Sequence, residues 1–174
     1  MKTRRVITGH SKEGKSVVAS DEMVTDISLP ISPEDKINVI WGADEIQTYP
    51  NDGTVPNHQG YFPPVGGVRF HVNSAAPAGA PGDQSLEALA ETEQLMPGLL
   101  ATFDPDDPGF HTTDTTDLIY IVSGRIVLKL DDGLEVELRA GDVLVQNGAR
   151  HAWHNPGTEP CKIIGFIVGA HRSV

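Results

Sequence analysis

Apolar and polar residues alternate along much of this chain, and that alternation sets the elements it predicts. In residues 68–73, Val68, Phe70 and Val72 fall on one face of an extended segment, while Arg69, His71 and Asn73 fall on the other. The same period of two links His111, Thr113, Asp117, Ile119 and Ile121, all odd-numbered. Ile119 and Ile121 belong inside, so His111 and Asp117 are expected to face inward with them. His151 and Trp153 share a face for the same reason. Residues 125–130 and 134–138 flank Asp131-Asp132-Gly133, an Asp-Gly hairpin signal. From Thr116 to Val168 the pattern is one of short strands joined by turns.

Upstream, residues 4–8 and 15–20 predict an N-terminal hairpin, residues 38–41 a short strand, and residues 44–59 a polar loop. Residues 75–82, rich in Ala, Pro and Gly, predict a loop. Residues 85–96 predict a helix capped by Asp83 or Ser85, with Leu86, Leu89, Ala90 and Met96 roughly on one face and Pro97-Gly98 ending it. The insertion over 73–110 is long for a compact barrel, and such insertions often act as lids. The expected fold class is all-β, with an N-terminal β-hairpin extension and one short helix in the insertion.

Length and composition narrow the classes. The chain of 174 residues suits one domain, 1–174, with N-terminal strands and loops over 1–64 and a barrel over 65–170. Its 18 glycines and 13 prolines suit a turn-rich β protein. A formal net charge of −11 argues against nucleic acid as a partner, because binding phosphates needs a basic face. No apolar run approaches the ~20 residues of a membrane span, and no apolar segment follows the basic Lys2-Thr3-Arg4-Arg5 start, so neither a membrane nor a signal peptide is expected. The single cysteine, Cys161, excludes an internal disulfide and fits a cytoplasmic location. Gly9-His10-Ser11-Lys12-Glu13-Gly14-Lys15-Ser16 matches a phosphate-loop pattern, but Val17-Val18-Ala19-Ser20 follows where a helix must begin. No nucleotide is expected.

Two spaced motifs carry the chemistry. The first reads His111, Thr113, Asp117 and, after six residues, Gly124; the second reads Gly141, Gln146, Gly148, His151 and Asn155. Together with the hairpin between them, they resemble the paired motifs of the cupin superfamily over about residues 65–168. The resemblance implies a jelly-roll β-barrel, or double-stranded β-helix, with its site in the barrel mouth. It also implies metal ligands at His111, Asp117 and His151, with Thr113 standing where a further histidine is usual. Two outcomes stay open: a site with two histidines and one carboxylate for Fe, Mn, Ni or Zn, or a metal-free acid/base cluster of the same residues. The run His111 to Asp117 and the tail Val145 to Trp153 resemble a subgroup of single-domain cupins whose members accompany small aromatic or polyketide-type metabolism. The family also implies a homodimer.

The candidate catalytic residues are therefore His111, Asp117 and His151, and the candidate substrate-binding residues are Arg69, His71, Thr113, Ile119 and Trp153. If it points inward, Arg69 is the natural clamp for an anionic substrate. The expected activity is a lyase or isomerase step by acid/base chemistry on a small carbonyl or carboxylate compound. A metal-dependent oxygenase or isomerase and a non-catalytic ligand-binding barrel are the alternatives.

Overall fold

Strands form where the alternation is cleanest. A computed structural model describes residues 2–79 and 82–173. Met1 of the basic start, Ala80 and Pro81 of the expected 75–82 loop, and Val174 lie outside the described residues. A first hairpin pairs β1 (Lys2–His10) with β2 (Ser16–Thr25) as a sheet of its own. It is longer than its pattern suggests, and its tip is a turn between strands, not the start of a helix. Arg5 ties it to the body by donating to the Ile40 carbonyl at 2.8 Å, and Asn38 does so by donating to Thr3 Oγ1 at 3.2 Å.

The body begins with β3 (Ile27–Leu29), β4 (Ser32–Ile37), β5 (Val39–Ala43) and β6 (Val68–Ala75). After the insertion come β7 (Thr115–Ser123), β8 (Arg125–Lys129), β9 (Glu135–Arg139), β10 (Val143–Asn147), β11 (Ala152–His154) and β12 (Cys161–Gly169). One antiparallel sheet runs β10-β7-β12-β6-β4-β3, with β5 also on β6; the second is β11-β8-β9. Ile119 and Ile121 of β7, Ile126 of β8, Leu138 of β9 and Cys161 of β12 form a buried core. Full burial of such an aliphatic side chain contributes ~1.5–3 kcal/mol. The result is the expected jelly-roll barrel.

Parity holds along β7. Thr115, Asp117, Ile119 and Ile121 are buried, while Leu118, Tyr120 and Val122 face out. Between β8 and β9, Asp132 and Gly133 take φ of 57° and 73°, as an Asp-Gly turn requires. Gly124, at φ 80°, has no room for a side chain, since a Cβ there would lie 3.0 Å from Cys161 Cα.

Strands β3 and β4 were not anticipated. They are short, and Pro30 and Pro33 break any alternation around them. The helix, α1 (Leu86–Leu95), is capped by Ser85, whose hydroxyl accepts from the Ala88 N–H at 3.2 Å. Its buried face only partly matches the expected one: Met96 is buried as expected, but Leu86 is 87% exposed, Ala90 is exposed, and Ala88 and Thr92 are buried instead. Spaced by four, the buried residues bring the helix close to β3, and Met96 joins Leu29 and Leu99 in a second apolar cluster.

Candidate functional site

Between the sheets and under the insertion lies a cavity of about 870 Å³. Strand β6 supplies His71 and Asn73, β7 supplies Asp117 and Ile119, and β11 supplies Trp153. His111 and His151 stand side by side on its wall. Leu99 and Phe103 from the insertion, with Tyr61 and Phe62 from the loop before β6, cover it. The insertion is therefore a wall of the cavity, and β3 and β4 back it through the Leu29–Met96–Leu99 cluster.

His111 and His151 are joined by an antiparallel bridge. His111 N–H donates to the His151 carbonyl at 2.9 Å, and His151 N–H returns the bond at 3.0 Å. A bridge of this kind puts both side chains on one face, and the ring centroids are 4.2 Å apart. Trp153 meets His151 edge-on at 5.7 Å, and Phe103 lies 5.6 Å from His111.

Three polar atoms on this wall are buried without a hydrogen-bond partner: His71 Nε2, His111 Nδ1 and Asp117 Oδ1. Buried polar atoms are rarely left so, and three of the residues that carry them line this one cavity, which makes it the candidate ligand site. Burial lowers His71 to about 4, with Arg69 and His58 adding to the effect. It lowers His111 to about 4, helped by the neighbouring His151 and opposed by the Gly109 carbonyl. Burial also holds His151 below its ordinary value, against the pull of the Ala149 carbonyl. The Asp117 carboxyl is pushed up by burial and only partly relieved by the Thr115 hydroxyl. The imidazoles are thus neutral near neutral pH, and the carboxyl keeps its proton to a higher pH than an ordinary aspartate.

Two residues outside the candidate catalytic and binding set complete the site. Gln146, on β10 beside Asp117 in the register, is buried. Its amide nitrogen donates to the Ala149 carbonyl at 2.7 Å and lies 2.8 Å from His151 Nδ1. Nδ1 is also 2.8 Å from that carbonyl. This nitrogen is therefore engaged by the protein, and Nε2 remains for chemistry. In the sequence Gln146 shows only as a departure from the second motif. Tyr61, in an irregular loop, gives no sequence signal at all. Its ring lies 5.0 Å from that of His71. Burial, then the charge of Asp117, pushes its phenol well above the usual range.

Two expected substrate contacts are placed elsewhere. Arg69 is fully buried but does not line the cavity. Its guanidinium donates to the carbonyls of Gly60, Ala43 and Val68 and to Asp44 Oδ1, the last at 2.6 Å. With its donors so engaged, it is a structural tie and not an anion clamp. Thr113 is buried too, off the cavity wall, and its oxygen accepts from the Thr115 hydroxyl at 2.8 Å. The chain between His111 and Thr115 is not a strand, so parity does not carry across it. Asn155 of the second motif braces the β11–β12 turn, donating to the Ala75 and Glu159 carbonyls at 3.0 Å each.

The family resemblance implies a metal here. Among the described residues, no group of three or more His, Cys, Asp or Glu side chains gathers closely enough to hold an ion. Thr113, at the position of the missing ligand, is turned to Thr115. The donor set as placed among the described residues does not fit a metal.

One more feature shapes the cavity. Gly165 of β12 lines it and pairs with His71 on one side and Ile119 on the other. A Cβ built there would meet nothing within 4 Å.

Residues 99–167 match the Cupin_2 family model, a cupin domain. Over 152 residues the chain is 27% identical to Oryzines biosynthesis cluster protein J of Aspergillus oryzae, spanning 87% of this chain and 74% of that protein. Among solved structures, it resembles an uncharacterized conserved protein with a double-stranded beta-helix domain from Klebsiella pneumoniae, with a TM-score of 0.45, 13% identity, and 86% of this chain and 81% of that one covered. It also resembles a Cupin 2 conserved barrel domain protein from Salinispora arenicola, with a TM-score of 0.42, 16% identity and 82% of each chain covered.

Proposed function

We propose that this chain, a member of the cupin superfamily, is an enzyme that moves protons on a small carbonyl or carboxylate compound held in the barrel. The reaction is a lyase or isomerase step: dehydration, decarboxylation or enolisation. The observation that carries this reading is that His71, His111 and Asp117, each with a buried polar atom lacking a partner, line one largely aliphatic and aromatic cavity.

Each group has a role that its environment supports. The neutral imidazoles of His111 and His151 are bases, able to take a proton from a carbon next to a carbonyl. In the tautomer whose Nδ1–H donates to the Ala149 carbonyl, Nε2 of His151 carries the lone pair and receives the proton. The Asp117 carboxyl, held up by burial, is the acid that hands a proton to the substrate oxygen as the enol forms or the leaving group departs. Leu99 and Phe103 exclude water from the reacting face. The relative from Aspergillus oryzae is named for a biosynthesis cluster, which agrees with a substrate drawn from aromatic or polyketide-like metabolism.

Proton exchange tests this without a known substrate. Acetonaphthone, an aryl ketone small enough for the cavity, is incubated in heavy water and its methyl signal followed by NMR. Exchange that depends on the wild-type protein and falls with His111→Ala and His151→Ala is the expected result. Protein-dependent exchange untouched by both substitutions, or none at all, overturns the acid/base role and leaves a ligand-binding barrel.

A further inference from the structure

Building on the acid/base reading of this same cavity and narrowing it to its carbonyl substrates, and so to dehydration or enolisation, we infer that these are uncharged compounds with an apolar body, such as aryl ketones or esters, and that the cavity turns carboxylates away. The inventory of charge on the wall carries this. Asp35, Asp104 and Asp117 line the cavity, and Lys36 is the only lysine or arginine among the described residues that line it. Lys36 already donates to Ser28 Oγ at 2.7 Å and to the Pro33 carbonyl at 2.8 Å. Arg69 shares its strand face with His71, but it is spent on Asp44 and on carbonyls behind the wall. Arg150, just before His151, is held outside by Asp104, Asp107 and Asp131.

A carboxylate needs a paired cation or several donors when it leaves water, and burial without them is strongly unfavourable. Among the described residues no guanidinium lines this cavity; Asp104 is taken up by Arg150 and Asp35 by the Ala76 N–H, which leaves the Asp117 carboxyl as the acidic group without such a partner. A ketone or ester oxygen asks for much less. One N–H satisfies it, and neutral imidazole can supply one. Buried His71, lowered to about 4, presents a neutral ring with Nε2 unpartnered. The remaining surface is mostly aliphatic and aromatic, with Leu29, Phe103, Ile126 and Ile163 among its members, and its uncharged polar side chains are Ser32, Asn73, Ser74 and Gln84. A volume of about 870 Å³ leaves room for a bicyclic ring system.

The test is calorimetric binding of three matched probes to the unmodified protein at neutral pH: acetonaphthone, methyl naphthoate and naphthoate. They share one ring system and differ in the charge of the carbonyl group. The ketone and the ester are expected to bind at least about tenfold more tightly than the carboxylate, as an unpaired buried anion requires. Naphthoate binding as tightly as the ester, or more tightly, overturns the inference. Failure of all three to bind overturns it as well, because it names this class. Since the measurement reads binding and not turnover, the two readings separate. A protein that prefers the ketone but catalyses no exchange loses the proposed reaction and keeps the ligand class. One that exchanges the ketone yet binds naphthoate equally keeps the reaction and loses the class.

Discussion

His111 and His151 stand opposite each other with backbone bonds of 2.9 and 3.0 Å and ring centroids 4.2 Å apart, so the position of each ring depends on the other. Groups coupled this closely do not contribute independently to a reaction. The proton exchange described above is expected to fall by roughly 10²–10⁴ with either alanine substitution, the range for a positioned acid or base. The double variant should be little worse than the poorer single one. A rate loss in the double variant equal to the product of the two single losses would show two independent groups.

Acid should destabilise this protein well before its exposed carboxylates titrate. His71 and His111 are each lowered from 6.5 to about 4, because burial disfavours the charged ring. Between those values the unfolded chain binds protons that the folded chain does not, so stability falls as pH drops from about 6.5 to about 4. Each ring contributes up to about 3 kcal/mol across that window. Asp117, shifted up, works in the opposite sense and offsets part of the loss. Urea unfolding at several pH values should show the decline, and His71→Asn should flatten it. A profile that stays level through this window contradicts the neutral buried state.

The Asp117 carboxyl is held at a cost to folding. Its Oδ1 is buried with no partner, and an unsatisfied buried polar atom costs about 1–3 kcal/mol. Asp117→Asn removes the charge and keeps the shape. The expected outcome is a thermal midpoint a few degrees higher, at roughly 2–4 °C per kcal/mol for a chain of this size, together with loss of proton exchange. A lower midpoint would place Asp117 among the residues that hold the fold.

Much of this was legible in the sequence where one period governs a whole element. The alternation through Asp117, Ile119 and Ile121 gives the inward face of β7, and the Asp132-Gly133 pair gives the turn between β8 and β9. Thr113 was misplaced because parity was carried across residues that are not a strand. Tyr61 and Gln146 were missed because their roles come from tertiary neighbours, His71 for one and His151 for the other. Arg69 shows the limit most clearly. Its inward parity is visible, but its partner Asp44 is 25 residues away in a segment that reads as polar loop. Arg69→Met leaves Asp44 and several carbonyls without their donor, and should cost about 3–5 kcal/mol, measured by urea unfolding. A loss under about 1 kcal/mol would mean that the tie is no stronger than a surface pair.

The outer face of the larger sheet bears on assembly. Val143 and Val145 of β10, Leu118, Tyr120 and Val122 of β7, and Phe166 of β12 are all exposed. The register places Tyr120 beside Val143, and Leu118 beside both Val145 and Phe166. A contiguous uncharged patch on a chain of net charge −11 is a site for association, and a second copy is the occupant expected. Light scattering after size exclusion should give a dimer, and Tyr120→Glu a monomer. Elution of the unsubstituted chain as a monomer at micromolar concentration removes this expectation.

The width of the chamber at its polar end is set by an atom that is missing. Gly165 leaves a notch between His71 and Ile119, and no neighbour fills it. A side chain at this one position would take up part of the chamber, so a single codon can change the dimensions of an acceptable guest. Chains that share this barrel but carry a larger side chain there would keep the proton-moving groups and accept a shorter range of molecules, so chemistry and guest size are free to diverge separately.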